Sequence, residues 1–343
     1  MTMNLTVEAA PVIRTQTTVA APPPDRTPLR ILLVRTDRIG DVVLTTPAIR
    51  ALRQAYPMAH IAMLVAASTR ALVEGNPDLN DVLVDDRRGR HRGLGFWRLV
   101  REMRRKDFDL AVIFHTKRRT HLLCFLAGIP VRIGYMNDKF GFLLTEQVPD
   151  DRPAGIKHES EYCLDLLRPL RVPLQSGLGL FVPVQAEDEQ WVAGVFAESG
   201  LGPQSRPVAV HPQASCPTKR WPLPRFVELI QSLQRRYGCP VILVGDAAGR
   251  RDARQIMRQI TGPVVDLTGQ TSIGQLSSLL RSCRLLVSND SGPVHIADAV
   301  GTPVVSIFTR NQPGINPGRW RPLGSRARVV APVPDPRLSF AVG

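Results

Sequence analysis

Twice along its length the chain alternates short, continuous apolar runs with stretches of helical periodicity, and this repetition restricts the fold more than any other feature. The first series is "RILLVR" from residue 30, "HIAMLVA" from 60, "DVLVDD" from 81, "LAVIFH" from 110 and "VRIGY" from 131. The second is "VAVHP" from 208, "VILVGD" from 241, "VVDLTG" from 264, "LLVSND" from 285 and "VVSIFT" from 304. Strands that are apolar on both faces must be covered on both faces, which calls for parallel sheets with helical crossovers. The pattern predicts an α/β protein of two Rossmann-like, doubly wound parallel-sheet domains facing across a cleft. Residues 29–174 form the first and 188–330 the second, joined by a linker over 175–187 within a stretch, 172–207, that is rich in Pro, Gly and Gln. Residues 1–28, rich in Thr, Ala and Pro, read as a disordered tail, and 331–343 as a second tail.

In such sheets ligands bind at the carboxyl edge, so residues that directly follow strands are the candidates. After "RILLVR" the loop reads Thr36, Asp37, Arg38, Ile39, Gly40, Asp41. A dinucleotide site needs G-x-G-x-x-G there, and the single glycine speaks against a nicotinamide-dependent oxidoreductase. Asp41 is read either as a reactive carboxylate at the cleft or as a helix cap, with Thr46 before Pro47 a rival cap; Asp37 is the second carboxylate. In "HPQASCPTKRWPLPRF" (211–226) the coming helix N-terminus suits an anion, and Lys219 either adds charge to it or is simply solvated. Trp221 suggests packing that fixes the segment.

In "VSNDSGPVHIADAVGTPVVSIF" (287–308), the small-residue turn at Asn289–Gly292 has amides that can cradle a diphosphate, with Ser291 as a hydroxyl donor. Asp290 would repel a phosphate beside it, so it caps the helix or holds a sugar hydroxyl. His295 is either a structural histidine or one that faces the cleft. Lys117, Arg118 and Arg119 in "HTKRRTH" offer a basic acceptor surface or a solvated one. "DFD" at 107–109 precedes its strand and is not read as a metal-binding pair.

With 44 Lys and Arg against 30 Asp and Glu, the chain carries +14 and attracts anions. Nucleic acid, anionic lipid or lipopolysaccharide, and phosphorylated small molecules all fit that field. The absence of a zinc-finger spacing and of an RNA-binding aromatic signature speaks against nucleic acid. "RRGRHRG" (87–93) reads as a solvated loop. The five cysteines are scattered without a C-x-x-C pair, which suggests neither a disulfide framework nor a zinc site and fits a reducing cytoplasm. No apolar run approaches the roughly 20 residues of a membrane span, and the N-terminus lacks a signal-peptide core, so membrane association is expected to be peripheral.

The combination of "RTDRIGDVVLTTPAIRALRQAYPMAHI", "NPDLNDV", "LAGIPVRIGY", "HPQASCPTKRWP" and "SNDSGPVHIADAVGTPVVSIF", in this order, resembles glycosyltransferase family nine, the lipopolysaccharide heptosyltransferases. The resemblance covers residues 30 to about 324. It implies a GT-B fold and inverting transfer of heptose from ADP-heptose onto the lipopolysaccharide core, without metal or other cofactor. It places the general base on Asp41, the donor-phosphate lysine on Lys219 and the phosphate turn on Asp290, Ser291 and Gly292, followed by His295. Asp246, after "VILVG", is the candidate ribose acid. The implied setting is the cytoplasmic face of the inner membrane, with an anionic glycolipid acceptor. The alternative is a catalytically silent sugar-nucleotide or glycan-binding protein of the same fold, lacking closure because the chain ends soon after "RWRPLG", in "APVPDPRLSFAVG".

Overall fold

The structure is a computed structural model, and residues 29–173, 177–202 and 204–332 are described. The tail assigned to 1–28 lies outside the described residues, as do 174–176 of the linker region and 333–343 of the second tail.

The first sheet contains β1 (Arg30–Arg35), β2 (His60–Ala66), β3 (Asp81–Asp85), β4 (Leu110–Ile113), β5 (Val131–Tyr135) and β6 (Glu146–Val148). Its order is β3-β2-β1-β4-β5-β6, and every pair is parallel. The second contains β7 (Val208–His211), β8 (Val241–Leu243), β9 (Val264–Asp266), β10 (Leu285–Asn289), β11 (Val304–Ile307) and β12 (Ala327–Val330), in the order β12-β11-β10-β7-β8-β9, again all parallel. Both sheets thus follow the doubly wound order. Each reverses direction between its first and fourth strands, where a crevice opens at the carboxyl edge.

The continuous apolar strands are central, as their composition requires: Ile31, Leu32, Leu33 and Val34 of β1 are fully buried. Helices cover both faces. In the first half these are α1 (Ile39–Val43), α2 (Thr46–Ala55), α3 (Phe96–Arg105), α4 (Arg118–Leu126) and α5 (Glu159–Asp165). In the second half they are α6 (Ala186–Glu198), α7 (Leu223–Tyr237), α8 (Arg250–Met257), α9 (Ile273–Ser282), α10 (Gly292–Ala299) and α11 (Pro317–Trp320). One side of the first sheet is filled by Leu99, Val100 and Met103 of α3 and by Leu123 and Cys124 of α4. The rival cap at residue 46 sits one position late. Thr45 occupies the N-cap of α2, and Thr46 begins the helix ahead of Pro47. Among the described residues, no helix is long and apolar enough to cross a membrane.

Candidate functional site

The loop after β1 does not run straight into α2. It first forms the single-turn α1, whose N-cap is Arg38 and whose third residue is Asp41. Asp41 therefore caps neither helix. Its Oδ1 instead accepts from Arg35 Nη2 at 2.6 Å. Arg35 closes β1 and is 1 % exposed, a burial that a guanidinium tolerates only when its donors are met. Besides Asp41 it donates to Asp37 Oδ1 (2.9 Å), to the Phe114 carbonyl (2.6 Å) and to Glu159 Oε1 (3.0 Å). Burial works against its charge, but Asp37, Cys163, Asp41 and Glu159 more than offset it and hold its pKa well above the ordinary value. Burial raises the Asp37 carboxyl, with Arg35 opposing the shift.

Glu159 and Arg319 are not among the candidate site residues that the sequence offers, Arg319 standing only as the first residue of "RWRPLG". Glu159 is completely buried at the start of α5, and its Oε2 accepts from Arg319 of α11 twice, at 3.0 and 2.7 Å. One carboxylate therefore joins the first domain's Arg35 to the second domain's Arg319. Arg319 Nη1 also donates to the Arg152 carbonyl at 2.7 Å, and His158 Nε2 lies 2.9 Å from the Arg321 carbonyl. The single sequence signal was an acid in the first turn of a short helix, which alone is read as a favourable dipole contact.

The two domains touch where α1 meets the N-terminus of α10. A methyl group at Gly40 would lie 2.9 Å from His295 Cδ2, and one at Gly292 would lie 2.9 Å from Ile39 Cβ, closer than real side chains approach. Glycine is required at both positions by this contact. His295 is buried, its Nδ1 has no hydrogen-bond partner among the described residues, and its pKa falls to about 3. Burial is the main cause, followed by His158; Asp41 opposes the shift and Lys219 adds to it.

On the second domain, Lys219 Nζ donates to Asp290 Oδ2 at 2.5 Å. Ser291 occupies the N-cap of α10 without a side-chain cap bond, so Asp290 is spent on Lys219 and not on capping. Ser291 Oγ lies 3.1 Å from His211 Nδ1 and donates to the Asn289 carbonyl at 3.0 Å. Burial brings His211 down to about 4. Asn289 Oδ1 in turn accepts from the Trp221 amide at 2.9 Å, which ties the Lys219 segment to the turn. Asp246 follows β8 and accepts from the Ala248 amide (2.9 Å) and from Gln213 Nε2 (2.8 Å).

Of the basic run, Lys117 lies close enough to Asp37 and Asp41 to feel both, although burial lowers its pKa overall, and Arg118 is exposed. Arg119 is turned into the fold. It binds Asp85 through two nitrogens at 2.8 and 2.7 Å and stacks 5.0 Å above Phe96.

A groove of about 750 Å³ lies alongside, between α5, residues 177–180 and the segment around Arg321. Of its basic residues, Lys157 and Arg168 are both paired with Asp165, and Arg321 also lines it, with its carbonyl beside His158. Asp41, Lys219 and Asp290 do not line it. Among the described residues, no group of three or more His, Cys, Asp or Glu side chains is arranged to hold a metal ion.

Comparison with known proteins agrees with this architecture. The family model "Glycosyltransferase family 9 (heptosyltransferase)" matches residues 96–336. Lipopolysaccharide heptosyltransferase 2 of Escherichia coli K12 is 26% identical over 325 residues, covering 88% of each chain. The crystal structure of the family 9 glycosyl transferase from Veillonella parvula superposes with a TM-score of 0.83 at 26% identity, over 90% of this chain and 88% of that one. The structure of E. coli ADP-heptose lps heptosyltransferase II gives 0.75 at 25% identity, over 88% of this chain and 90% of that one. With two parallel-sheet domains in GT-B arrangement and a family match over most of its length, the chain belongs to glycosyltransferase family 9, the heptosyltransferases, and is a glycosyltransferase.

Proposed function

We propose that the protein moves heptose from ADP-heptose onto the core of lipopolysaccharide or a related envelope glycan, with inversion and without a metal, at the cytoplasmic face of the membrane. One observation carries this reading. Gly40, next to Asp41 in the first domain, packs against His295 of α10, while Lys219 is bound to Asp290 immediately before the same helix, so the candidate base and the candidate phosphate ligand lie at one interdomain contact.

The chemistry follows from that placement. An acceptor hydroxyl gives its proton to Asp41, and its oxygen bonds to the anomeric carbon from the face opposite the diphosphate. The bond from that carbon to the diphosphate oxygen breaks, and ADP departs. Lys219 and the α10 amides at Ser291 and Gly292 meet the negative charge that develops on the leaving group. Asp290 presets the ammonium of Lys219, and Arg35 fixes the carboxylate of Asp41 through its 2.6 Å bond. Lys117 and Arg118 stand on the acceptor side, and Asp246 on the ribose side. Arg119 supports that side by locking α4 to Asp85.

Calorimetric titration with ADP-heptose, ADP, UDP and GDP tests the donor. Selective binding of ADP-heptose, weakened in Lys219→Ala, is the expected result. Failure to bind any nucleotide sugar would remove the reading and leave the fold alone.

A further inference from the structure

We propose that the outer layer formed by α3 and α4 is the surface on which this protein docks to an anionic lipid bilayer. The proposal deepens the functional reading by giving its glycolipid acceptor a membrane to sit in, but the surface is argued from its own residues.

Residues 87–106 contain nine basic side chains and one acid, Glu102. On α3, Leu99, Val100 and Met103 are buried against the sheet, so the 3.6-residue period turns Trp97, Arg101 and Arg105 outward as one stripe, with Arg98 beside it. No carboxylate pairs with Arg98, Arg101 or Arg105 among the described residues. Two other arginines near this surface differ: Arg87 and Arg119 are both neutralised by Asp85. The outward charges are therefore free to act on something outside the molecule.

Large apolar side chains stand among them. Leu94 is 86% exposed and Phe142 76%, with Trp97 and Phe125 each 47% exposed. A chain of contacts joins Phe125 and Phe142 to the end of α3. Arg104 Nη2 of α3 donates to the Leu126 carbonyl of α4 at 2.6 Å, beside Phe125. Arg132 stacks 5.6 Å over Phe125, and its Nε donates to the Leu143 carbonyl at 2.6 Å, beside Phe142.

A soluble polyanion would neutralise the arginines but leave Leu94 and Phe142 in water. A bilayer with anionic headgroups satisfies both groups, because guanidinium groups lie at headgroup level while the apolar tips enter the acyl boundary. The layer also adjoins the site. Arg87, just before Leu94, donates to Thr36 Oγ1 at 3.1 Å, in the loop that leads to Asp41. The stretch "RRGRHRG", read from sequence as a solvated loop, is thus the rim between the docking face and the acceptor side of the cleft.

The test is sedimentation of the full chain with sucrose-loaded vesicles, using phosphatidylcholine alone and phosphatidylcholine mixed with phosphatidylglycerol. Binding is expected only to the anionic vesicles. Arg98→Gln, Arg101→Gln and Arg105→Gln should each weaken partitioning about fivefold, and together about a hundredfold. Leu94→Ser with Trp97→Ser should weaken it about tenfold at unchanged charge. A control on α7, Arg235→Gln with Arg236→Gln and Tyr237→Ser, should bind like the wild type, and melting curves should show every variant folded.

Equal loss in the α7 control would overturn the proposal. So would full vesicle binding by the apolar variant while the arginine variant loses affinity for a single-stranded oligonucleotide, since that marks a polyanion surface. ADP-heptose binding is measured on the same samples. If it is intact while the wild type ignores all vesicles, docking alone falls. Vesicle binding without ADP-heptose binding supports docking and removes the donor assignment.

Discussion

Replacing Glu159 with Gln isolates the charge of the interdomain carboxylate, because the side-chain volume is kept and no cavity opens. In the wild type the group is fully buried between two guanidiniums, with contacts of 3.0 Å to Arg35 and of 3.0 and 2.7 Å to Arg319. The Arg35 and Arg319 side chains are only 2% and 13% exposed, so solvent can replace little of what is lost. An amide offers one acceptor oxygen and turns an NH₂ group toward one of the two cations. Removing one partner of a buried pair costs about 3–5 kcal/mol, which at about 2.1 cal/mol/K of unfolding entropy per residue lowers the melting temperature of this chain by about 4–7 °C. Calorimetric melting measures it. Because Arg35 also holds Asp41, turnover should fall while ADP-heptose affinity stays near the wild-type value, a division that general destabilisation does not produce. A melting temperature within a degree or two of wild type, or equal losses in turnover and donor affinity, would refute the reasoning.

Other perturbations test separate parts of the site. Asp41→Asn should lower kcat by about 10²–10⁴-fold, with calorimetric ADP-heptose binding unchanged; near-normal turnover rules out the base assignment. Lys219→Ala removes a charge-assisted bond worth about 1.5–3 kcal/mol, so ADP-heptose binding should weaken by about 10- to 150-fold in the same calorimeter. Gly40→Ala drives a methyl group into buried His295 and should cost about 1–3 kcal/mol in urea unfolding, with His295→Ala partly restoring the loss in the double variant. His211 and His295 have folded pKa values of about 4 and about 3, both below the ordinary histidine value. Their contribution is therefore fully present above the unfolded pKa and fades as the pH falls below it. By about pH 5 each should have cost about 2 kcal/mol relative to neutral pH, and a urea midpoint that does not move over that range contradicts their burial.

The central strands were legible because their apolar runs have one physical solution, burial on both faces. The short edge strands β6, "EQV", and β12, "ARVV", were not, since three or four residues with polar members carry no period. The turn at Asp290–Gly292 and the Lys219 segment were legible as loops after strands. Their coupling was not, because Lys219 meets Asp290 across the sheet edge and sequence spacing does not report it. Asp41 was recognisable as a carboxylate at the right edge. Its use depended on α1, a single turn with no side-chain cap, which leaves no start signal to read.

Arg35 and Glu159 show why the remainder stayed hidden. A buried Arg at the end of a strand reads as polar punctuation, and a Glu in a first helical turn reads as dipole compensation. Each gains its meaning only from the other and from Arg319, far along the chain. The same dependence has a mechanical consequence. Arg319 reaches Glu159 only when the second domain lies against α5, where the Arg321 carbonyl also meets His158. If the domains part, Glu159 loses Arg319 and keeps Arg35, and the Gly40–His295 contact separates with it. The Arg319 bonds to Glu159 and the Gly40–His295 contact are thus made only while the domains meet, so the proton abstraction proposed for Asp41 would have the whole network behind it only in that state.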